Sequence, residues 1–226
     1  MRAWPGSPEE LAAVQEELGR ARPVPWQPPE VELGLGGCFV CFPRGRSGPG
    51  SAGDPGWAAA VVLRGRRLTE RASVSGAGGA PYEPGFLALR EGPLLEAAVR
   101  ALAERPDVLL VDATGRDHPR RAGLALHLGA VLGLPTVGVT HRPLVAEGAW
   151  PADERGAASP LSLDGEPVGV WLRTRRGTRP VAVHAAWRTD PETAVAVVLR
   201  ALRRARTPEP VRQARRLARS ARAAAA

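Results

Sequence analysis

Apolar residues at Leu11, Val14 and Leu18 recur at helical spacing behind Ser7-Pro8-Glu9-Glu10, which predicts a capped amphipathic helix ending near Gly19. After a proline-rich connector, residues 21–29, the pattern changes to short apolar runs with β character. Gly36–Phe42, Trp57–Arg64 and Arg67–Ser75 read as strands, the last two joined at Gly65 as a hairpin. The glycine- and serine-rich residues 43–56 between them predict a flexible insert. A turn-rich stretch, residues 76–85, leads into a helix from Phe86 to Ala103 with Leu87, Leu94, Leu95, Ala98 and Leu102 on its apolar stripe. Asp107–Val111 is a continuous apolar strand, followed by a helix over Arg121–Leu132 and a strand at Thr136–Val139. Residues 146–163 read as a polar insert. Strands at Val168–Arg173 and Pro180–His184 flank the turn at Arg175-Arg176-Gly177, and a helix spans Pro191–Arg203. Residues 204–226 form a basic helix with a frayed tail.

The strand–helix–strand rhythm at the centre implies parallel pairing and an α/β class. At 226 residues with 44% hydrophobic content, the chain can bury a core as a single domain. It has no internal repeat and no apolar run long enough for a membrane span. The opening residues lack the apolar stretch of a signal peptide, so a cytoplasmic monomer is expected. Cys38 and Cys41 have Cys-x-x-Cys spacing, but no second ligand pair accompanies them. On a strand they would point to opposite faces, as free buried thiols.

The formal net charge is +8, and all 31 basic residues are arginine. Arginine suits bidentate phosphate contacts, although a lysine-free chain also reflects compositional bias. Nine arginines lie between Arg200 and Arg222 against one acid, Glu209. That segment is either a solvated helix face or a contact with a nucleic-acid backbone.

The candidate chemistry centres on residues 112–119. A buried strand ends on Asp112, and a glycine turn then leads to His118-Pro119. Glu91 lies near the start of the helix expected beside that strand, and Asp190 precedes a later helix. Convergent carboxylates would hold Mg²⁺ through oxygen, orienting water and neutralising a phosphate. His118 would position water or carry a proton. The structural alternatives are an ordinary N-cap for Asp190 and a favourable helix-start acid for Glu91.

Residues 81–93 (Pro-Tyr-Glu-Pro-Gly-Phe-Leu-Ala-Leu-Arg-Glu-Gly-Pro), together with Asp107–Pro119 and Pro135–Val139, resemble the endonuclease V family. The likeness continues through Pro167–Thr174 and Pro208-Glu209-Pro210, and covers roughly residues 10–220 in order. The resemblance implies a ribonuclease-H-like fold with a mixed central five-stranded sheet flanked by helices. It also implies a DNA-repair nuclease, a hydrolase using Mg²⁺ or Mn²⁺ on DNA or RNA. Such an enzyme cuts the second phosphodiester bond 3′ to inosine (deoxyinosine in DNA), the product of adenine deamination. On this resemblance Glu91, Asp112 and Asp190 are metal-site and catalytic carboxylates, with His118 as the loop histidine. Tyr82, between Pro81 and Pro84, is the wedge that opens the duplex. Leu87, Ala113, Leu124 and Gly138 line the base pocket, whose small residues and backbone groups would read the hypoxanthine edge.

The departures from the family pattern are as informative. Phe39 stands where the family's first strand carries an aspartate, His141 where it carries a lysine, and Trp187 in a Gly-His pair. The expected consequence is retained nucleic-acid affinity with weak or absent cleavage. Asp54 is a possible substitute ligand, and Arg142 or Arg188 a cation that neutralises the remaining acids. Three functions compete: an active endonuclease, a catalytically reduced nucleic-acid binder, and a protein–protein scaffold.

Overall fold

The computed structural model describes residues 4–29, 32–45 and 48–225. Arg46 and Ser47 of the insert and Ala226 of the tail lie outside the described residues. One mixed sheet organises the chain. Its strands are β1 (Gly34–Cys41), β2 (Pro55–Arg64), β3 (Arg67–Ala77), β4 (Val108–Val111), β5 (Thr136–Thr140), β6 (Ala158–Leu163), β7 (Glu166–Leu172) and β8 (Val181–Ala185). Their order is β3-β2-β1-β4-β5-β8-β7-β6. The pairs β1–β4 and β4–β5 are parallel, and the named pairs outside them are antiparallel.

The sheet is mixed and flanked by helices as expected, but it has eight strands rather than five. The first five in order are the expected unit, and β8, β7 and β6 widen it. β6 falls inside the stretch read as a polar insert. It is an edge strand containing Pro160, and Leu161 is its only fully buried side chain. Little apolar alternation was therefore available to mark it.

Helices α1 (Pro8–Arg20), α2 (Leu87–Arg100) and α3 (Leu124–Leu132) cover one face. They pack on Cys38, Val40, Leu109 and Val111. Helices α4 (Pro191–Ala201) and α5 (Glu209–Ala224) cover the other. There they meet Leu35, Leu110, Val137 and Val183 towards the sheet centre, and Phe39, Ala59 and Val61 under α5. Period-two alternation thus sends Cys38 and Cys41 to opposite faces, and both are buried free thiols. α5 lies unusually close to β1. A Cβ built on Gly37 would sit 2.3 Å from the Pro210 carbonyl carbon, so only glycine admits this crossing.

His127 on α3 stacks on Trp4, with ring centroids 4.4 Å apart. Burial depresses its pKa to about 4 from an ordinary 6.5. The fully buried His184 is shifted in the same direction, again by desolvation. A lowered histidine keeps its full stabilising share above the unfolded value and loses it as pH falls from about 6.5 towards 4. The protein should therefore lose stability across that window. His127→Phe should remove about 3 kcal/mol of the loss, read as a flatter melting-temperature profile between pH 7 and pH 4.

Candidate functional site at the carboxyl edge of the sheet

The parallel core strands β1, β4 and β5 all end at one edge, which is where ligands gather in open α/β sheets. Asp112 follows β4 there. The register pairs Cys38 with Val111, so Phe39 and Asp112 come level on adjacent strands. Thr140, His141 and Arg142 end β5 beside them.

Two cavities open at this edge. The larger, about 270 Å³, is lined by Tyr82, Pro84, Gly85, Leu87, Asp112, Ala113, Thr114, His118, Leu124 and Arg142, among others. The second, about 240 Å³, brings together Cys38, Phe39, Tyr82, Leu87, Glu91 and Asp112. The structure thus gathers Tyr82, Pro84, Leu87, Glu91, Asp112, Ala113, His118 and Leu124. Pro81, Gly138 and His141 are not among the lining residues. Gly138 acts from behind: a Cβ there would come within 2.3 Å of the Ala113 carbonyl oxygen, so glycine lets the pocket wall close on β5.

Asp190 is not brought to this group. β8 runs antiparallel to β5, so the segment after it returns to the opposite edge, where Trp187 accepts from the Thr136 N–H. Asp190 caps α4 there, accepting from the Thr193 N–H at 2.7 Å. Trp187 and Arg188 lie on the same far side, and the Arg188 Nε donates to the Val24 carbonyl.

Asp54 is occupied elsewhere as well. It is 5% exposed, 2.9 Å from the Arg90 guanidinium, and accepts from the Ser51 N–H. Arg90 in turn lies over the Phe42 ring at 3.9 Å and donates to the Ala80 carbonyl. These contacts, with the Tyr82 N–H donating to Pro49, tie the insert down against the Tyr82 segment. A flexible insert is expected from composition, and among its described residues Pro49, Ser51 and Asp54 are held by a buried ion pair and these hydrogen bonds.

His118 is 2% exposed with both ring nitrogens engaged. Nδ1 accepts from the Arg120 N–H at 3.1 Å, which assigns the ring proton to Nε2, 3.0 Å from the Gly85 carbonyl. Gln15 Nε2 donates to that same carbonyl at 2.9 Å. Burial lowers the His118 pKa, keeping the ring neutral. These contacts leave no ring nitrogen for a water and make His118 a positioning residue for the loop behind Tyr82. Tyr82 itself is 51% exposed at the cavity mouth.

Two carboxylates meet at the second cavity in different electrostatic states. Glu91 is raised to about 8, first by desolvation and then by the neighbouring charge of Asp112. Asp112 Oδ2 accepts from Arg215 Nη2 at 2.8 Å. The Arg215 guanidinium also lies over the Phe39 ring, 5.0 Å from its centroid. The neutralising cation is therefore Arg215 rather than Arg188, and Arg142 contributes only to the larger cavity wall. The available signal for Arg215 was helical. Val211, Ala214 and Ala218 turn one face of α5 to the sheet, which sends Arg215, Arg219 and Arg222 along its flank. Arg222 donates to the Phe42 carbonyl, so this flank meets the protein rather than water. His141 sits exposed nearby, its pKa lowered by partial desolvation and by Arg206.

Asp117 had carried no expected role. Fully buried, it accepts the N–H groups of Leu144, Val145 and Ala146 at 2.7, 2.9 and 2.7 Å. It thereby fixes the segment after Arg142 that closes one side of the larger cavity.

Residues 48–216 match the family model described as Endonuclease V. The chain belongs to the endonuclease V family. An endonuclease V of Streptomyces avermitilis is 40% identical over 223 residues, spanning 96% of this chain and 93% of that protein. The crystal structure of the endonuclease V from that organism superposes with a TM-score of 0.87 at 38% identity, covering 99% of this chain and 96% of that one. An endonuclease V of Geotalea uraniireducens is 49% identical over 138 residues, which is 61% of this chain and 59% of that protein. Ciona intestinalis endonuclease V, solved with a 24mer DNA containing an inosine followed by a ribo-adenosine, shares the fold at 22% identity and a TM-score of 0.75. Endonuclease V membership suggests a metal-dependent reaction. Among the described residues, however, no three His, Cys, Asp or Glu side chains are grouped to hold a metal ion. Nor is any described helix long and apolar enough to cross a membrane.

Proposed function

We propose that this protein engages inosine-containing DNA through the Tyr82-rimmed cavity and cleaves it slowly at most. The observation carrying this reading is the contrast between two neighbouring cavities. The larger keeps the parts a base-reading pocket needs: an exposed ring at its mouth, apolar walls at Leu87 and Leu124, and small side chains at Ala113 and Thr114. The smaller does not fit a divalent cation. Mg²⁺ needs several oxygen ligands, whereas Phe39 offers none, Asp112 is paired with Arg215, and Glu91 is held neutral at pH 7. The inosine-containing DNA bound by the Ciona protein supports the choice of ligand.

The test is fluorescence anisotropy with matched duplexes carrying inosine or adenine, in EDTA and in Mg²⁺. A preference for inosine that is the same in both buffers is expected. Equal affinity for the two duplexes, or binding that needs Mg²⁺, would sink the reading, and tighter binding to an inosine-containing RNA would move the substrate class. Tyr82→Ala should reduce the inosine preference about tenfold while weakening binding to the adenine duplex much less, because stacking at an opened base step is worth about 1–3 kcal/mol. A proportional loss on both duplexes would mean that Tyr82 is an ordinary surface contact.

A further inference from the structure

Asp112 directly follows β4, yet the cation paired with it comes from the last helix. Arg215 reaches it at 2.8 Å with one side of its guanidinium over Phe39, and Arg219 lies over the same ring at 6.0 Å. The helix cannot drift away easily, since Pro210 is seated on Gly37 and Ala214 and Ala218 are fully buried. The side chains of Arg215 and Asp112 are 23% and 29% exposed, so solvent reaches the pair, and Asp112 also lines both cavities. A phenyl face, a carboxylate and a planar cation therefore meet at the ends of β1 and β4, beside the smaller cavity.

We propose that Arg215 takes the electrostatic place of a divalent cation at this edge and offers one DNA phosphate a metal-independent seat. This deepens the functional reading above and rests on it for the phosphate. The displacement of metal by Arg215 stands on the geometry alone. A guanidinium stays protonated at every working pH, stacks on aromatic rings, and presents a planar fork of donors that matches phosphate. It supplies no coordination sphere in which water could ionise. The site can then hold a backbone without acting on it.

Mn²⁺ binding followed by electron paramagnetic resonance tests the displacement without reference to activity. The wild type and Phe39→Asp should bind no Mn²⁺ at low millimolar concentration, since in the variant Arg215 would pair with the new carboxylate as well. Arg215→Gln should bind weakly, and the Phe39→Asp, Arg215→Gln double variant at least about tenfold more tightly, because two carboxylates are then free. Binding by the wild type that is lost in Asp112→Ala, or binding by Phe39→Asp equal to that of the double variant, overturns the displacement. Arg215→Gln loses only the guanidinium's contacts with Phe39 and Asp112, so it decides the matter if the Phe39 variants do not fold, and failure to bind any Mn²⁺ then counts against the proposal.

The phosphate seat is read separately. Arg215→Gln should lower the salt dependence of duplex binding in EDTA by about one counterion. An unchanged slope overturns that half. Absence of an inosine preference in the wild type would defeat the functional reading, while the Mn²⁺ series would still judge Arg215.

Discussion

Single-turnover nicking of an inosine-containing duplex in Mg²⁺ should run about a thousandfold slower for this protein than for a relative with an aspartate at the Phe39 position. Adding Mg²⁺ should also change its rate less than tenfold over EDTA. A metal that polarises the scissile phosphate and lowers the pKa of its water contributes several kcal/mol to the transition state, and each 1.36 kcal/mol is tenfold in rate. Here the three side chains nearest that task are a phenyl ring, a neutral Glu91 and an Asp112 already paired with Arg215. Raising the pH does not recover the site by itself. Ionising Glu91 above pH 8 would place a second negative charge beside Asp112, and the Phe39 ring would still offer no oxygen ligand. A Mg²⁺-dependent rate within tenfold of that relative, abolished by Asp112→Ala, would show that the edge assembles a working metal site despite Phe39.

The largest loss of stability should come from Asp117→Ala. The carboxylate is fully buried and accepts three backbone N–H groups, and hydrogen bonds to a charged acceptor are individually worth about 1.5–3 kcal/mol. Removing it leaves the buried Ala146 N–H and the part-buried Leu144 and Val145 N–H groups without their acceptor, so a loss of about 4 kcal/mol is expected in urea unfolding. Asp117→Asn is the informative control. Its remaining carbonyl oxygen can keep the Val145 and Ala146 bonds now made by Oδ1, and about half the loss should return. Equal destabilisation by both variants would point to the His184 contact at 3.5 Å as the more important one. Both variants should also loosen Leu144 at the cavity wall and reduce the inosine preference.

What could be read from the sequence was what depends on neighbours along the chain. The periods of Leu11–Val14–Leu18 and of β1, β2 and β4 placed those elements, because one buried face imposes them. Asp112 at the strand end was recognisable for the same reason, whereas Tyr82 was singled out only by the family resemblance. What could not be read depended on pairing across the chain. Asp190 looks like Asp112 in local context, and only the antiparallel return of β8 carries it to the other edge. Asp54 sits on a glycine-rich segment that composition marks as free, and Arg90, 36 residues away, decides otherwise. His118 has the residue type of a proton carrier, and burial against Gly85 and Arg120 gives it a fixed tautomer instead. Arg215 was one of nine arginines, and only its height along α5 relative to β4 singles it out.

The doubly held carbonyl of Gly85 has a consequence for the amino-terminal helix. Gln15 and His118 share that one oxygen, so α1 works as a hinge pin for the aromatic tip although it touches no part of the larger cavity except through Gln15. Proteolytic nicking in the proline-rich connector that follows α1 would let the pin slip. On the proposed function, the damaged protein would keep its sheet and lose its preference for inosine before its general affinity for duplex.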